Sequence, residues 1–346
     1  MSEELVLNAV SDEEKKQGFK NVCLRLGIMM IVVFVSRAAA SVILSLVYPS
    51  LSQLDPNIAY IIESVISFLF LYVIPISAAI LLLKPKKMCS RIYKKPQYFG
   101  SAMGMFPAFY GLAIFANLIT IIISSFFQDT DLNESFNTVN ELAPDGIVSA
   151  IVLFVQLAVI APVFEEFWFR GIVMESLRPY GNGFAIFVSA LLFGLTHANF
   201  GQLFYTAVIG ICLGYIAIST KSIVATTIMH AILNSISGIM LILISTEPAQ
   251  RYLIGKGDNN DPIVILMLVY MFFVIMLMIV GIFMAIFKLR KIRRYRVEKM
   301  WDVSSAKRWG IFLSRVTVIV MLVLAIDTLT FRYMPTTIIK LITGTL

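Results

Sequence analysis

Long apolar segments, separated by short polar connections, run through almost the whole chain. A helix that crosses the hydrocarbon core of a bilayer needs about 20 mostly apolar residues, and roughly 17 to 25 are tolerated. The pattern therefore predicts an all-α, polytopic bundle of about nine transmembrane helices. The predicted spans are 22–47, 59–83, 102–127, 146–168, 183–199, 202–219, 222–245, 262–287 and 312–334.

Composition excludes an ordinary soluble domain. Hydrophobic residues make up 59% of the chain and charged residues 14%, whereas about 45–50% and 25% are usual in soluble domains. The net charge of +7 does not indicate nucleic acid, because the basic residues form short clusters beside apolar spans, as in cytoplasmic loops. We therefore expect a lipid bilayer around the protein and no nucleic-acid partner.

The distribution of Lys and Arg predicts the orientation. The loop 84–100 is rich in both, whereas 48–58 and 128–145 contain neither. An even number of predicted spans separates the first loop from a second basic run at 288–308, so both are expected on the cytoplasmic side. The N-terminus is then cytoplasmic and the C-terminus lies outside.

Four regions follow from this arrangement. They are a cytoplasmic N-terminal segment 1–21, three N-terminal transmembrane helices in 22–127, a central core 145–245, and two C-terminal helices with a basic cytoplasmic loop in 262–346. The first segment lacks the apolar core and cleavage site of a signal peptide. Composition and short loops indicate a bacterial plasma-membrane protein.

Two adjacent carboxylates, Glu165 and Glu166, lie within an apolar segment, followed by Arg170. A carboxylate at the centre of a bilayer costs on the order of 3 kcal/mol, so such a residue is a functional candidate. The only two histidines of the chain, His197 and His230, follow in later apolar segments. At about 1.5 Å per helical residue, Glu165 and both histidines reach overlapping depths of roughly 14–21 Å.

Spacing divides the roles within the cluster. Glu166 and Arg170 are four residues apart, as are His230 and Asn234, so each pair shares a helix face. Arg170 can hold Glu166 ionised, which leaves Glu165 to face the histidines. This arrangement suits amide hydrolysis in which Glu165 and His197 take a proton from water while His230 and Asn234 stabilise the oxyanion.

Structural roles are the alternative for each of these residues. Glu166 and Arg170 can be a packing ion pair, and Asn234 can make an ordinary interhelical hydrogen bond. Two arginines in the first span, Arg25 and Arg37, are expected to be snorkelling or pore-facing residues. Cys23, Cys89 and Cys212 are far apart and form no CxxC motif, so neither a disulfide framework nor a metal knuckle is expected.

The ordered motifs resemble the CPBP family of membrane proteins, the group of type II CAAX prenyl proteases and bacteriocin-processing, Abi-type proteins. The family pattern is Glu-Glu-x-x-x-Arg, then Phe-x-x-x-His, then His-x-x-x-Asn or Asp. It is matched over roughly residues 145–240. The matching positions are Glu165, Glu166, Arg170, Phe193, His197, His230 and Asn234.

This resemblance implies an intramembrane endopeptidase that acts on a peptide or membrane-protein substrate, with lipid-modified proteins among the candidates. Its catalytic residues would be Glu165, His197, His230 and Asn234, with Glu166, Arg170 and Phe193 in support. No cofactor is required by the water-activation scheme. The family is sometimes described as metal-dependent, and two histidines and a glutamate match the three protein ligands of catalytic zinc, so zinc stays an alternative.

Two other functions remain open on the sequence. The same fold could serve a non-catalytic self-immunity or membrane adaptor protein, or the carboxylates and histidines could relay protons in a proton-coupled transporter.

Overall fold

The computed structural model describes residues 11–84, 94–126, 146–292 and 303–330. Helices and short connections account for these residues, and no strand occurs among them. The predicted all-α fold is therefore confirmed. Helices long and apolar enough to cross a membrane make the chain a multi-pass membrane protein.

Eleven helices make up most of the described residues. They are α1 (Asp12–Leu51), α2 (Pro56–Leu83), α3 (Phe106–Ser125), α4 (Ile147–Tyr180), α5 (Asn182–Leu195), α6 (Phe200–Thr220), α7 (Val224–Ser245), α8 (Glu247–Leu253), α9 (Pro262–Ile292), α10 (Ser305–Leu313) and α11 (Val316–Thr330). A short helical segment, Phe99–Met103, precedes α3.

The first helix begins earlier than the predicted start of its span at residue 22, because a capping box fixes its N-terminus. The Ser11 hydroxyl accepts a hydrogen bond from the Glu14 backbone N–H at 3.3 Å, and the Glu14 carboxylate accepts one from the Ser11 N–H at 3.0 Å. These reciprocal bonds satisfy backbone donors that the helix leaves unpaired. Part of the predicted N-terminal segment is therefore helical.

The predicted count of nine spans is not confirmed. Seven helices in the described part of the chain meet the length and apolarity of a span, or eight if the bent pair α10 and α11 is one. That pair bends by 75°. Helix α5 has only 14 residues, which is short of the length a bilayer requires, because the chain turns at Thr196 instead of continuing to residue 199.

Sidedness stays a prediction. The loop 128–145, residues 85–93 and 293–302 of the basic loops, and the chain after residue 330 lie outside the described residues. Cys89 lies outside them as well.

Three wide, π-helical turns interrupt the helices that carry the candidate site. One is Leu69–Val73 in α2, and two, Gln156–Ile160 and Glu166–Met174, lie in α4. Wide turns change the direction in which side chains leave a helix, and they are frequent at functional sites. Tyr72 lies in the first, and Glu165 immediately precedes the last.

Two apolar clusters enclose the site. The larger one joins α1, α2, α4, α5 and α11, with Phe169 and Phe193 fully buried at its centre. The second joins α3, α6 and α7. Helices α5 and α6 approach closely at Gly210, where a Cβ atom would lie 2.9 Å from the Ala190 backbone. This glycine brings the α6 backbone within reach of polar groups on α4.

Candidate active site

The two adjacent glutamates of α4 have different surroundings, as the spacing predicted. Glu166 is completely buried, and its Oε1 lies 2.8 Å from Arg170 Nη1. Arg170 is itself 1% exposed, donates from Nη2 to the Gly210 carbonyl at 3.3 Å, and lies 4.7 Å above the centre of the Phe193 ring. An arginine with this set of partners fixes α4 against α5 and α6. The predicted pairing of Glu166 with Arg170 is confirmed.

Glu165 instead reaches a cavity. Its side chain is 14% exposed, and its Oε1 accepts a hydrogen bond of 2.9 Å from the Tyr72 hydroxyl of α2. Its Oε2 lies 3.7 Å from Nε2 of His230, which is too long for a hydrogen bond but close enough for electrostatic attraction. One carboxylate oxygen is thus held by a hydroxyl, and the other faces an imidazole.

His230 lies between the two glutamates. This histidine of α7 is buried, and its Nδ1 is 3.0 Å from Glu166 Oε1 while its Nε2 faces Glu165. The carboxylate of Glu166 is also held by Arg170, so it orients the imidazole ring in a fixed position. The two carboxylates of α4 are therefore linked through one imidazole on another helix.

His197 lies in the turn after α5, and not in a helix as its predicted span implied. Its Nδ1 is 3.0 Å from the Phe193 carbonyl oxygen. A carbonyl oxygen only accepts, so we assign the hydrogen of this bond to Nδ1, which leaves the Nε2 lone pair of the neutral ring available as a base.

Phe193 contacts both histidines. Its ring meets those of His197 and His230 edge to face, with ring centres 5.0 and 5.8 Å apart. Since the same ring supports the Arg170 guanidinium, Phe193 packs against three of the polar side chains singled out in the sequence. This explains why an apolar residue belongs to the predicted set.

Asn234 is placed by the proline that precedes the glutamates. In the wide turn Gln156–Ile160 of α4, the Ala161 N–H bonds to the Gln156 carbonyl, five residues earlier. With the same spacing, the Leu157 carbonyl would accept from the N–H of residue 162. Pro162 has no N–H, and Asn234 Nδ2 donates to the unpaired Leu157 carbonyl at 2.9 Å. This contact is the interhelical hydrogen bond that the sequence left as an alternative. The predicted oxyanion role of Asn234 stays a prediction.

A cavity of about 270 Å³ opens beside Glu165 and His197. Its wall contains five polar residues besides these two, none of which was among the predicted site residues, together with apolar side chains from α1, α2 and α4. The five are Arg37, Tyr72, Thr196, Asn199 and Gln202, and the apolar residues are Val33, Leu71, Trp168 and Phe169.

The polar cavity residues that sequence analysis did not predict differ in how clearly the sequence marked them. Arg37 was visible as a cation inside an apolar span, for which a pore-facing position was one expectation. Tyr72 is one of 13 tyrosines in the chain, and nothing in its local sequence distinguishes it. Asn199 and Gln202 follow His197 closely, but the turn that brings them to the cavity was expected to be helical.

The donor set does not fit a three-ligand zinc site. Within the parts of the chain that the structure describes, no three His, Cys, Asp or Glu side chains are grouped as metal ligands. Glu165 Oε1 accepts from Tyr72, and His230 Nδ1 is directed to Glu166. These hydrogen bonds occupy atoms of Glu165 and His230 that a zinc ion would need as ligands.

Comparison with known proteins identifies the same region. Residues 147–236 match the family model described as "Type II CAAX prenyl endopeptidase Rce1-like". This segment contains all seven residues singled out from the motifs. The family predicted from their order is thereby confirmed for residues 147–236.

A relative supports the peptidase class. The chain is 25% identical over 132 residues to the Bacillus subtilis protein named "Putative membrane peptidase YdiL". The match covers 38% of this chain and 52% of that protein, so this chain spans about half the length of the curated relative. No solved structure gives a significant match.

Proposed function

We propose, from the CPBP-family core that residues 147–236 carry, that this chain is an intramembrane endopeptidase that hydrolyses a peptide bond with water activated by Glu165 and His197. One observation carries the proposal. Glu165 of α4 and His197 of the turn after α5 line the same cavity, and hydrogen bonds with Tyr72 and with the Phe193 carbonyl orient the two side chains.

Water activation uses the acceptor atoms of Glu165 and His197 that the orienting hydrogen bonds leave free. Tyr72 occupies Glu165 Oε1 and Phe193 occupies His197 Nδ1, so Glu165 Oε2 and His197 Nε2 are the atoms assigned to the water. One of them takes a proton as the water oxygen attacks the scissile carbonyl carbon. The same proton then passes to the leaving amine as the C–N bond breaks, which returns the base to its starting state.

The oxyanion that forms in the attack needs hydrogen-bond donors, and His230 and Asn234 are assigned to it. His230 can donate from Nε2 when its ring carries both hydrogens, with Nδ1–H directed to Glu166. Asn234 has a second amide hydrogen besides the one given to Leu157. Such a donor is worth about 3 kcal/mol of transition-state stabilisation in other enzymes.

Glu166, Arg170 and Phe193 are positioning residues in this scheme. Their contacts hold the His230 ring and fix α4 against α5 and α6, and they contribute no group to the reacting atoms. The site lies among helices long and apolar enough to span a bilayer. This position favours a peptide or membrane protein that enters from the bilayer as the substrate. The name of the family model makes prenylated, CAAX-type peptides the first candidates.

Cleavage of an internally quenched, prenylated CAAX peptide by the purified protein in proteoliposomes tests the proposal. Wild type should release fluorescence, whereas Glu165→Gln and His197→Ala should lower the rate at least about 100-fold, as expected when a general base is removed. Glu175→Gln is a matched control, because Glu175 lies on the same helix and pairs with Arg178 instead.

The product must be identified by mass spectrometry, and the purified variants must elute like wild type in size-exclusion chromatography. Full activity in Glu165→Gln would refute the mechanism. Proton or solute transport without cleavage would favour a transporter, and a cellular effect that all active-site variants retain would favour a non-catalytic adaptor.

A further inference from the structure

We propose that Arg37 binds a carboxylate group of the substrate peptide in the cavity that Glu165 and His197 share. This inference rests on the proposed endopeptidase function and specifies which peptides the site accepts. Arg37 belongs to α1, outside residues 147–236 that match the family model. It also lies outside the set of residues assigned to the reaction.

The position of Arg37 requires a partner. It lies inside a helix that is long and apolar enough to span a bilayer, where a cation is costly unless it meets water, a backbone carbonyl or an opposite charge. Its Nη1 donates to the Thr196 carbonyl at 3.0 Å. A guanidinium carries five N–H donors in a planar fork, so this contact anchors one end of the group and leaves the rest of the fork for another acceptor.

No carboxylate of the described chain neutralises Arg37. The arginines that form ion pairs within residues 11–84, 94–126, 146–292 and 303–330 are Arg170, Arg178 and Arg251. Glu165 is in the same cavity wall, but its oxygens face Tyr72 and His230. The cavity thus contains a guanidinium whose charge is not matched by an ion pair with the described protein, and an anionic group on a ligand can supply the match.

The side chain of Gln202 is a second donor in the same wall. The neighbouring amide of Asn199 is already used, since its Nδ2 donates to the His197 carbonyl and its Oδ1 accepts from the Gln202 backbone N–H. The side-chain amide of Gln202 makes no such bond to the described protein, and Gln202 lines the cavity. A carboxylate has two oxygens, so it can accept from Arg37 with one and from Gln202 with the other, and its bond to the guanidinium is charge-assisted.

The anchor of Arg37 ties this subsite to the catalytic base. Thr196, whose carbonyl holds the guanidinium, directly precedes His197 in the chain. A carboxylate bound at Arg37 therefore lies beside the turn that carries His197 and sets the position of the peptide relative to the activated water. The source of the carboxylate is either the C-terminus of the peptide or an acidic side chain near the cleaved bond.

Three fluorescent, prenylated CAAX peptides that differ only at the C-terminal residue separate these sources. The first ends in a carboxylate, the second in an amide, and the third in an amide with glutamate as its last residue. Binding is measured by fluorescence anisotropy on the Glu165→Gln protein, which prevents turnover, and KM is measured on the protein with Glu165 intact. We expect Arg37→Gln to weaken binding of the first peptide about 10- to 100-fold and to leave the second within about twofold.

Arg37→Lys should recover part of the loss, since lysine keeps the charge without the fork. Arg25→Gln is the matched control, because it removes a cation from the same helix at a position that does not line the cavity. Recovery of tight, Arg37-dependent binding by the third peptide would assign the subsite to acidic side chains, and its absence would assign it to the chain terminus.

The inference is overturned if Arg37→Gln weakens the carboxylate and amide peptides equally, or if none of the peptides binds. Competition by phosphatidylglycerol vesicles with no difference between the peptides would also overturn it, in favour of a lipid phosphate at Arg37. If Arg37-dependent binding is found but no peptide is cleaved, the proposed function fails while the subsite stands.

Discussion

The Tyr72 hydroxyl donates a hydrogen bond of 2.9 Å to Glu165 Oε1, although the two residues are 93 positions apart in the chain. Tyr72 lies in the wide turn of α2, and Glu165 ends the short α-helical stretch of α4 that begins at Ala161. The bond therefore connects an N-terminal helix to the family core and leaves Oε2 of Glu165 directed to His230.

Tyr72→Phe should lower turnover more than stability. Removing the hydroxyl leaves the ring packed against Phe68 and Phe164 but lets the Glu165 carboxylate rotate. A hydrogen bond to a charged group is worth about 1.5–3 kcal/mol, so we expect a kcat about 10- to 100-fold lower. The measurement is peptide cleavage together with thermal unfolding in detergent.

Tyr60→Phe provides the comparison, because Tyr60 lies on the same helix and does not line the cavity. Its kcat should stay within about twofold of wild type if the Tyr72 effect comes from loss of a Glu165 partner. Equal losses in both variants would show that hydroxyls on α2 matter for packing, and the positioning role of Tyr72 would be wrong.

Arg170→Ala should reduce folded yield as well as activity. The substitution leaves the buried carboxylate of Glu166 without its closest cation, and breaking a buried pair in this way typically costs about 3–5 kcal/mol. Glu165→Gln should keep the folded yield, since Glu165 is partly exposed to the cavity. Yield after size-exclusion chromatography and the thermal midpoint distinguish the two variants.

A double substitution tests the cause of that loss. Replacing the pair together, as Glu166→Gln with Arg170→Met, removes both buried charges, and such replacements are often neutral for stability. Folded yield should therefore recover relative to Arg170→Ala, while activity stays low because the His230 ring loses its charged partner. A yield as poor as that of Arg170→Ala would indicate that guanidinium contacts with Gly210 and Phe193 dominate.

The sequence was sufficient for the parts of the site that local spacing determines. Glu166 and Arg170 pair because they are four residues apart, and the separate environment of Glu165 follows from its position next to them. Overlapping depth in three segments placed His197 and His230 near these carboxylates. The predicted end of the fifth span, residue 199, was wrong, because the turn at Thr196 contains no proline or glycine that would mark it in the sequence.

The side chains of α1 and α2 that reach the cavity were beyond sequence analysis. Tyr72 and Arg37 reach the cavity only because α1 and α2 pack against α4, and apolar spans carry little information on which faces meet. The acceptor for Asn234 depends on the local register of α4, in which Pro162 leaves a particular carbonyl unpaired. These details require the three-dimensional arrangement.

Chelators test the metal alternative. Water activation by Glu165 and His197 predicts that dialysis against EDTA or 1,10-phenanthroline leaves peptide cleavage within about twofold of the untreated protein. The matched measurement is the metal content of active protein by mass spectrometry. Loss of activity that stoichiometric zinc restores, but magnesium does not, would contradict the metal-free mechanism and make the glutamate and histidines ligands.

The two possible roles of Asn234 can be separated through Pro162. If Asn234 stabilises the fold by satisfying the Leu157 carbonyl, Asn234→Ala should lower the free energy of unfolding by about 1–3 kcal/mol. In a Pro162→Ala background, residue 162 regains an N–H that can pair with this carbonyl, so the same substitution should cost less.

Activity then reports the other role. An oxyanion donor contributes to the transition state in either background, so Asn234→Ala should lower kcat about 100-fold whether or not Pro162 is present. The Asn234→Ala substitution could instead leave both activity and stability unchanged in the Pro162→Ala protein. That result would show that the Asn234 amide serves only as a donor to the Leu157 carbonyl. His230 would then be the remaining oxyanion donor of the proposed pair.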